Sequence, residues 1–140
     1  MNKDAVVDPL DQRFNALLCG YRPTGGLARD SEIAARVAAR NPGGFAWLAR
    51  RIAHRELLFF TWREVLWFPV FQFERSDMSQ RRGVACVVAE LAGWTEDWER
   101  ADWFLRPQRE LGHRAPIALI DSQPQRIVEV ARMERYLHNV

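Results

Sequence analysis

Carboxylates, histidines and thiols are the groups in this chain that could make or break bonds, and their spacing points elsewhere. Glu96 with Glu99, and Asp97 with Asp102, could be imagined as general acid and base. They fall just after Thr95, in the first turn of an expected helix, where acids suit the positive end of the helix dipole. His113 follows Gly112 in a loop and has no chemical partner near it in sequence. Cys19 and Cys86 each lie in an apolar stretch, so both are expected to be reduced thiols acting as small hydrophobes. There is no Cys-x-x-Cys, and His54, His113 and His138 are scattered, so no metal-ligand set forms. Gly25-Gly26 and Gly43-Gly44 read as turn formers, and neither a phosphate loop nor a nucleophile elbow is present. The expectation is a protein that is not an enzyme and needs no cofactor.

Arginine is the remaining chemical resource. The net charge is only +2, and Lys3 is the single lysine. Residues 28–55 hold six arginines against Asp30 and Glu32, whereas residues 90–110 hold six acids against three arginines. The guanidinium fork suits phosphates and carboxylates. Arg50, Arg51, His54 and Arg55 share the outer side of an expected helix. With the helix before it, across Asn41-Pro42-Gly43-Gly44, they form a pair compatible with a helix-turn-helix. DNA contact through helices 31–55 is the alternative function this allows, although nucleic-acid binders are usually more lopsided in charge.

These side chains must be positioned by elements whose periods are legible. Phe14, Leu17 and Leu18 make a short helical stripe that Cys19-Gly20 breaks. Asp30 or Ser31 caps a helix to about Arg40 with Ile33, Ala34, Val37 and Ala38 on one face. A second runs from about Phe45 to Arg55 with Phe45, Leu48, Ala49 and Ile52 inward. Leu57–Trp62 and Val65–Phe73 are dense in aromatic and branched residues and predict a β-hairpin, with Pro69 confining the second strand to an edge or a bulge. The rings are expected mainly in the core, with some left over for a subunit interface. Val84, Val87, Val88 and Leu91 predict a helix ended by Gly93. A helix capped by Thr95 carries Trp94, Trp98, Ala101 and Leu105 inward and closes at Arg106. Pro116–Ile120 suits one helical turn, and a last helix carries Ile127, Val130, Ala131 and Leu137 inward. The fold class is mainly α with one β-hairpin, and two regions are expected: residues 1–56, helical, and residues 57–140, the hairpin with a helical bundle.

At 140 residues with 48% hydrophobic content, the chain can build a real core. No apolar run approaches the roughly 20 residues that span a bilayer, and Met1–Leu10 lacks the layout of a signal peptide. A cytoplasmic protein without a membrane partner is expected.

The most informative spacing is W-x3-P-x3-LG-x3-P, formed by Trp103, Pro107, Leu111, Gly112 and Pro116. Proline stops one helix and starts another, and Gly112 supplies a left-handed turn between them. Residues 98–119 on this pattern resemble the toxin-binding domain of the bacterial Xre/MbcA/ParS-type antitoxins, with Leu119 matching as well. Pro69-x-x-Gln72-Phe73 is similar to an element that precedes the domain in many relatives, so the likeness covers roughly residues 60–140. Gln108 departs from the asparagine common after the first proline, and the N-terminal half lacks a convincing Xre helix-turn-helix. The resemblance implies an antitoxin that docks on a RES-domain toxin and obstructs its NAD-consuming site, as a homodimer. It implies Trp98, Trp103, Leu111, Gly112 and Pro116 as framework. Contact would come from Arg106, Pro107, Arg109 and Arg114 on the bend and from Arg132, Arg135 and Tyr136 near the tail. Arginine and tyrosine are common among binding hot spots.

Overall fold

The computed structural model describes residues 8–140; residues 1–7, most of the segment read above for a leader, lie outside the described residues. Asp8 accepts a hydrogen bond from the Leu10 N–H (2.9 Å) and starts α1, Pro9–Tyr21. The helix runs through Cys19-Gly20 rather than stopping there. A Cβ at Gly20 would meet only the end of the flexible Leu105 side chain, and Gly20 has ordinary helical backbone there. Burial of Phe14, Leu17 and Tyr21 holds the last turn. Both cysteines are exposed, not tucked among apolar neighbours.

Three short strands form one antiparallel sheet in the order β1 (Leu27–Arg29), β3 (Val65–Pro69), β2 (Phe60–Trp62). The β2–β3 hairpin has the anticipated Arg63-Glu64 turn, with both residues at positive φ and Trp62 opposite Val65. The third strand, β1, is too short to announce itself, and it makes β3 the central strand. Pro69 is therefore neither on an edge nor in a bulge: it ends β3 opposite Leu27, and the next amide, Val70, donates to the Gly26 carbonyl at 3.0 Å. Proline is tolerated there because the ladder stops at that residue.

α2, Asp30–Arg40, begins one residue earlier than an Asp30 cap would require and two earlier than a Ser31 cap; Arg29 is the cap residue, and its N–H donates to Glu32 Oε1 (3.3 Å). α3, Gly44–Ala53, crosses α2 so closely that a Cβ on Gly44 would lie 2.6 Å from the Ala38 nitrogen. That crossing turns α3 about its axis relative to the periodicity: Phe45 is 68% exposed and Ala49 is exposed, while Gly44 and Leu48 face inward. After α4 (Arg82–Leu91) come α5 (Asp97–Trp103), α6 (Pro116–Leu119) and α7 (Pro124–His138).

Two apolar clusters flank the sheet. The larger joins α1, α4, α5, α6 and α7 with Phe60 and Phe71; the smaller joins α2 and α3 with Phe68, Phe73 and Met78. They do not divide the chain at residue 56, since Phe14, Leu17 and Tyr21 belong to the larger cluster. A sheet covered on both faces explains why the hairpin has no polar side. Phe60 and Trp67 pair across the strands and pack toward α1, whereas Leu66 and Phe68 pack toward α2. Among the described residues, the large apolar side chains most exposed are outside the hairpin: Leu10, Phe45, Met133, Tyr136, Leu137 and Val140. No helix among the described residues is long and apolar enough to cross a membrane.

Candidate partner-docking surface

The bend between α5 and α6 is built from the inside out. Glu96 caps α5, its N–H donating to Glu99 Oε1 (3.3 Å), so Thr95 is displaced from the cap and its hydroxyl donates to the Leu91 carbonyl (2.6 Å). Arg100, only 3% exposed, donates to the Thr95 carbonyl, the Thr95 hydroxyl and Asp97. Asp97 is thus the partner of a buried guanidinium rather than a freely solvated acid. Nothing in the periodicity marked Arg100, because an arginine on an acid-rich helix ordinarily faces water.

Trp103 is 3% exposed and donates from Nε1 to Glu134 Oε2 on α7 (2.7 Å). α5 ends there, so Leu105 and Arg106 lie beyond the helix. Trp98, assigned to the framework, is half-buried: it packs on Phe60 at 4.7 Å between centroids and donates to the Thr61 carbonyl at 2.9 Å. Trp94 and Leu105 are likewise only partly buried, which leaves Ala101 and Trp103 as the inner face.

The loop is closed by main chain. Gln108 N–H donates to the Arg114 carbonyl (3.0 Å), and the Gln108 carbonyl accepts from His113 (2.8 Å) and Leu111 (3.0 Å). Closure therefore uses backbone groups of residue 108, whichever side chain stands there. Gly112 and His113 both have positive φ, at 65° and 63°, and turn the chain back on itself. Pro116 opens α6, and Ile117 N–H donates to the Phe104 carbonyl (3.0 Å), fixing the two helices to each other. Arg126 on α7 reaches the Glu110 carbonyl at 2.9 Å. Leu111 and Pro116 are buried like Trp103, while Arg106, Pro107, Arg109, Gly112, His113 and Arg114 are exposed. Arg106 makes only a loose 3.8 Å pair with half-exposed Asp102.

The tail arginines are placed differently from those of the bend. Arg132 Nε lies 3.1 Å from Glu90 Oε1 and Arg135 Nη1 lies 3.0 Å from Glu90 Oε2, and the Glu90 side chain is 13% exposed. Both guanidiniums tie α7 to α4. Leu137, assigned inward from its spacing, is exposed, and it joins Met133 and Tyr136 on the outer side of α7, with exposed Val140 just past the helix end. Met133 was missed, although its i, i+4 spacing from Leu137 carried the signal. Between α5 and α7 a cleft of about 410 Å³ is lined by Trp94, Glu99, Arg106 and Leu137.

Arg50, Arg51, His54 and Arg55 are all exposed at the C-terminal end of α3, where Arg55 shares a shallow cleft with Thr95–Trp98 at the start of α5. Arg51 is paired with Glu56 and lies over the Trp47 ring, and Arg55 has a positive φ of 55°. Among the described residues, no three His, Cys, Asp or Glu side chains converge as a metal site would require.

Compared with known proteins, this chain matches no family model, and no curated protein or solved structure is significantly similar to it.

Proposed function

We propose that the chain is an antitoxin-like protein of the bacterial cytoplasm, itself no enzyme, that neutralises a RES-domain toxin by covering its NAD-consuming active site. One observation carries this reading. The bend from Trp103 to Pro116 is anchored by Trp103, Leu111 and Pro116 on its inner side and leaves Arg106, Pro107, Arg109 and Arg114 outside. A loop closed by its own main chain and pinned to α7 loses little freedom on binding, which favours affinity. Exposed guanidiniums with few internal partners are available for carboxylates of a partner protein. The Tyr136 stripe on α7 supplies apolar contact beside the α5–α7 cleft, whereas Arg132 and Arg135 act through the support they give α7.

Co-expression with the product of an adjacent reading frame tests the proposal. Arg106→Glu combined with Arg109→Glu should leave the melting temperature unchanged, since both side chains are exposed, and should weaken toxin neutralisation. Full silencing of the toxin by that double variant would remove the bend from the interface. The homodimer that the family resemblance implies is proposed as well, and the mass of the purified chain in solution tests it.

A second reading, binding of DNA through α2 and α3, is favoured by the exposed Arg50, His54 and Arg55 at one helix end. Affinity for the chain's own promoter that falls steeply with salt would support it, because phosphate contacts release counterions.

A further inference from the structure

We propose that the outward face of α3 docks on an anionic lipid surface, with Phe45 as the apolar anchor and arginines of α2 and α3 meeting the headgroups. Phe45 is 68% exposed. It has company: Ala46, Ala49 and Ala53 are exposed as well. The close crossing at Gly44 turns Leu48 inward, so positions 45, 49 and 53, one helical repeat apart, face away from the core. The turn that leads into the helix is tied down. Gly43 N–H donates to Asn41 Oδ1 (3.0 Å) and Gly44 N–H to the Asn41 carbonyl (2.9 Å). The phenyl ring is therefore presented from a fixed backbone rather than from a loose loop.

Charge indicates what covers this face. From Ile33 to Arg55 the chain holds five arginines and no acidic residue. Arg36, Arg40 and Arg50 are exposed, and among the described residues neither Arg36 nor Arg50 forms an ion pair. Arg40 donates to the Arg75 and Ser76 carbonyls, which leaves its charge in place; Asp77 is the acid that shares a cleft with it. Arg51 is paired with Glu56. An exposed ring beside guanidiniums is the composition of helices that lie in a membrane interface, where the ring enters the headgroup–acyl boundary and each cation gains from anionic lipid. Such docking needs no helix long enough to span a bilayer. Duplex DNA would use the arginines but would leave Phe45 and the alanine methyls in water, so the face fits lipid better. It uses no residue of the Trp103–Pro116 bend or of α7, so it does not depend on neutralisation of a toxin.

The full chain is sedimented with vesicles of phosphatidylglycerol and phosphatidylcholine in equal parts, and with vesicles of phosphatidylcholine alone. It should bind the anionic vesicles saturably and the neutral ones at least about tenfold more weakly. Phe45→Ser, at an exposed site, should keep the melting temperature and lose about tenfold in vesicle affinity, as expected for withdrawing one phenyl ring from the interface. Arg36→Gln combined with Arg50→Gln should lose about thirtyfold, and added salt should weaken binding of the unaltered chain. Leu10→Ser, at an exposed apolar residue of α1, should bind like the unaltered chain. No binding to anionic vesicles, equal binding to both compositions, or unchanged affinity in Phe45→Ser overturns the proposal. So does a loss in Leu10→Ser as large as in Phe45→Ser, which would mean non-specific adhesion. Binding to a duplex oligonucleotide without binding to vesicles would also overturn it and assign the arginines to DNA.

Discussion

Gln72→Leu isolates what holds the hairpin to the rest of the fold. Gln72 is fully buried, and its Oε1 accepts from the Leu58 N–H at 2.8 Å. Its Nε2 donates to the Leu58 carbonyl at 2.7 Å and to the Pro69 carbonyl at 3.0 Å. The amide thus acts as an extra peptide group, pairing with the chain just before β2 and with the end of β3. Leucine fills a similar volume but leaves those three main-chain groups buried without partners, at about 1–3 kcal/mol each. Its added apolar burial returns about 1–2 kcal/mol, so the net loss should be about 3–5 kcal/mol. Against a total stability of about 5–15 kcal/mol that is a large fraction. Urea unfolding reads it directly: with a slope of about 2 kcal/mol per molar, the midpoint should fall by about 2 M with the slope unchanged. Gln80→Ala provides the internal control. Its Nε2 reaches Gln72 Oε1 (3.2 Å) and the Glu56 carbonyl (2.9 Å) from a part-exposed position, so its loss should be only about 0.5–1.5 kcal/mol. A Gln72→Leu loss under about 1 kcal/mol, no larger than that of Gln80→Ala, would refute the reasoning by showing that water reaches these groups.

Three other perturbations have defined outcomes. Burial, with the Asp102 carboxylate nearby, pushes the Tyr21 phenol well above its ordinary pKa, and its hydroxyl donates to the Ala101 carbonyl. Its contribution is complete below pH about 10 and lost as pH rises beyond that, because the unfolded chain releases the proton first; Tyr21→Phe should flatten the decline in urea midpoint above about pH 10. Gly44→Ala would ordinarily gain about 1 kcal/mol of helix propensity, yet its Cβ would meet Ala38 and Val37 backbone at 2.6–2.9 Å, so thermal denaturation should show a net loss of about 1–3 kcal/mol. Trp103→Ala should cost about 3–5 kcal/mol in chemical unfolding, and Trp98→Ala, at a half-buried site, should cost clearly less; equal losses would contradict their different burial.

Residue order alone determined what depends on local chemistry. The mainly α class, the hairpin, and the Pro107–Gly112–Pro116 punctuation follow from periodicity, proline's missing amide and glycine's access to positive φ. These properties belong to each residue wherever it is packed. The three-residue β1 carried no comparable signal, because a strand that short exists only by pairing with β3. The tertiary structure likewise decided which wall each helix presents: Gly44 sets the crossing that exposes Phe45, and Glu90 and Glu134 gather Arg132, Arg135 and Trp103 from distant positions. Arg100 and Gln72 became framework residues only once folding removed water from around them. Burial is a property of the assembled chain, so the same arginine reads as a solvated charge in sequence and as an internal tie in space.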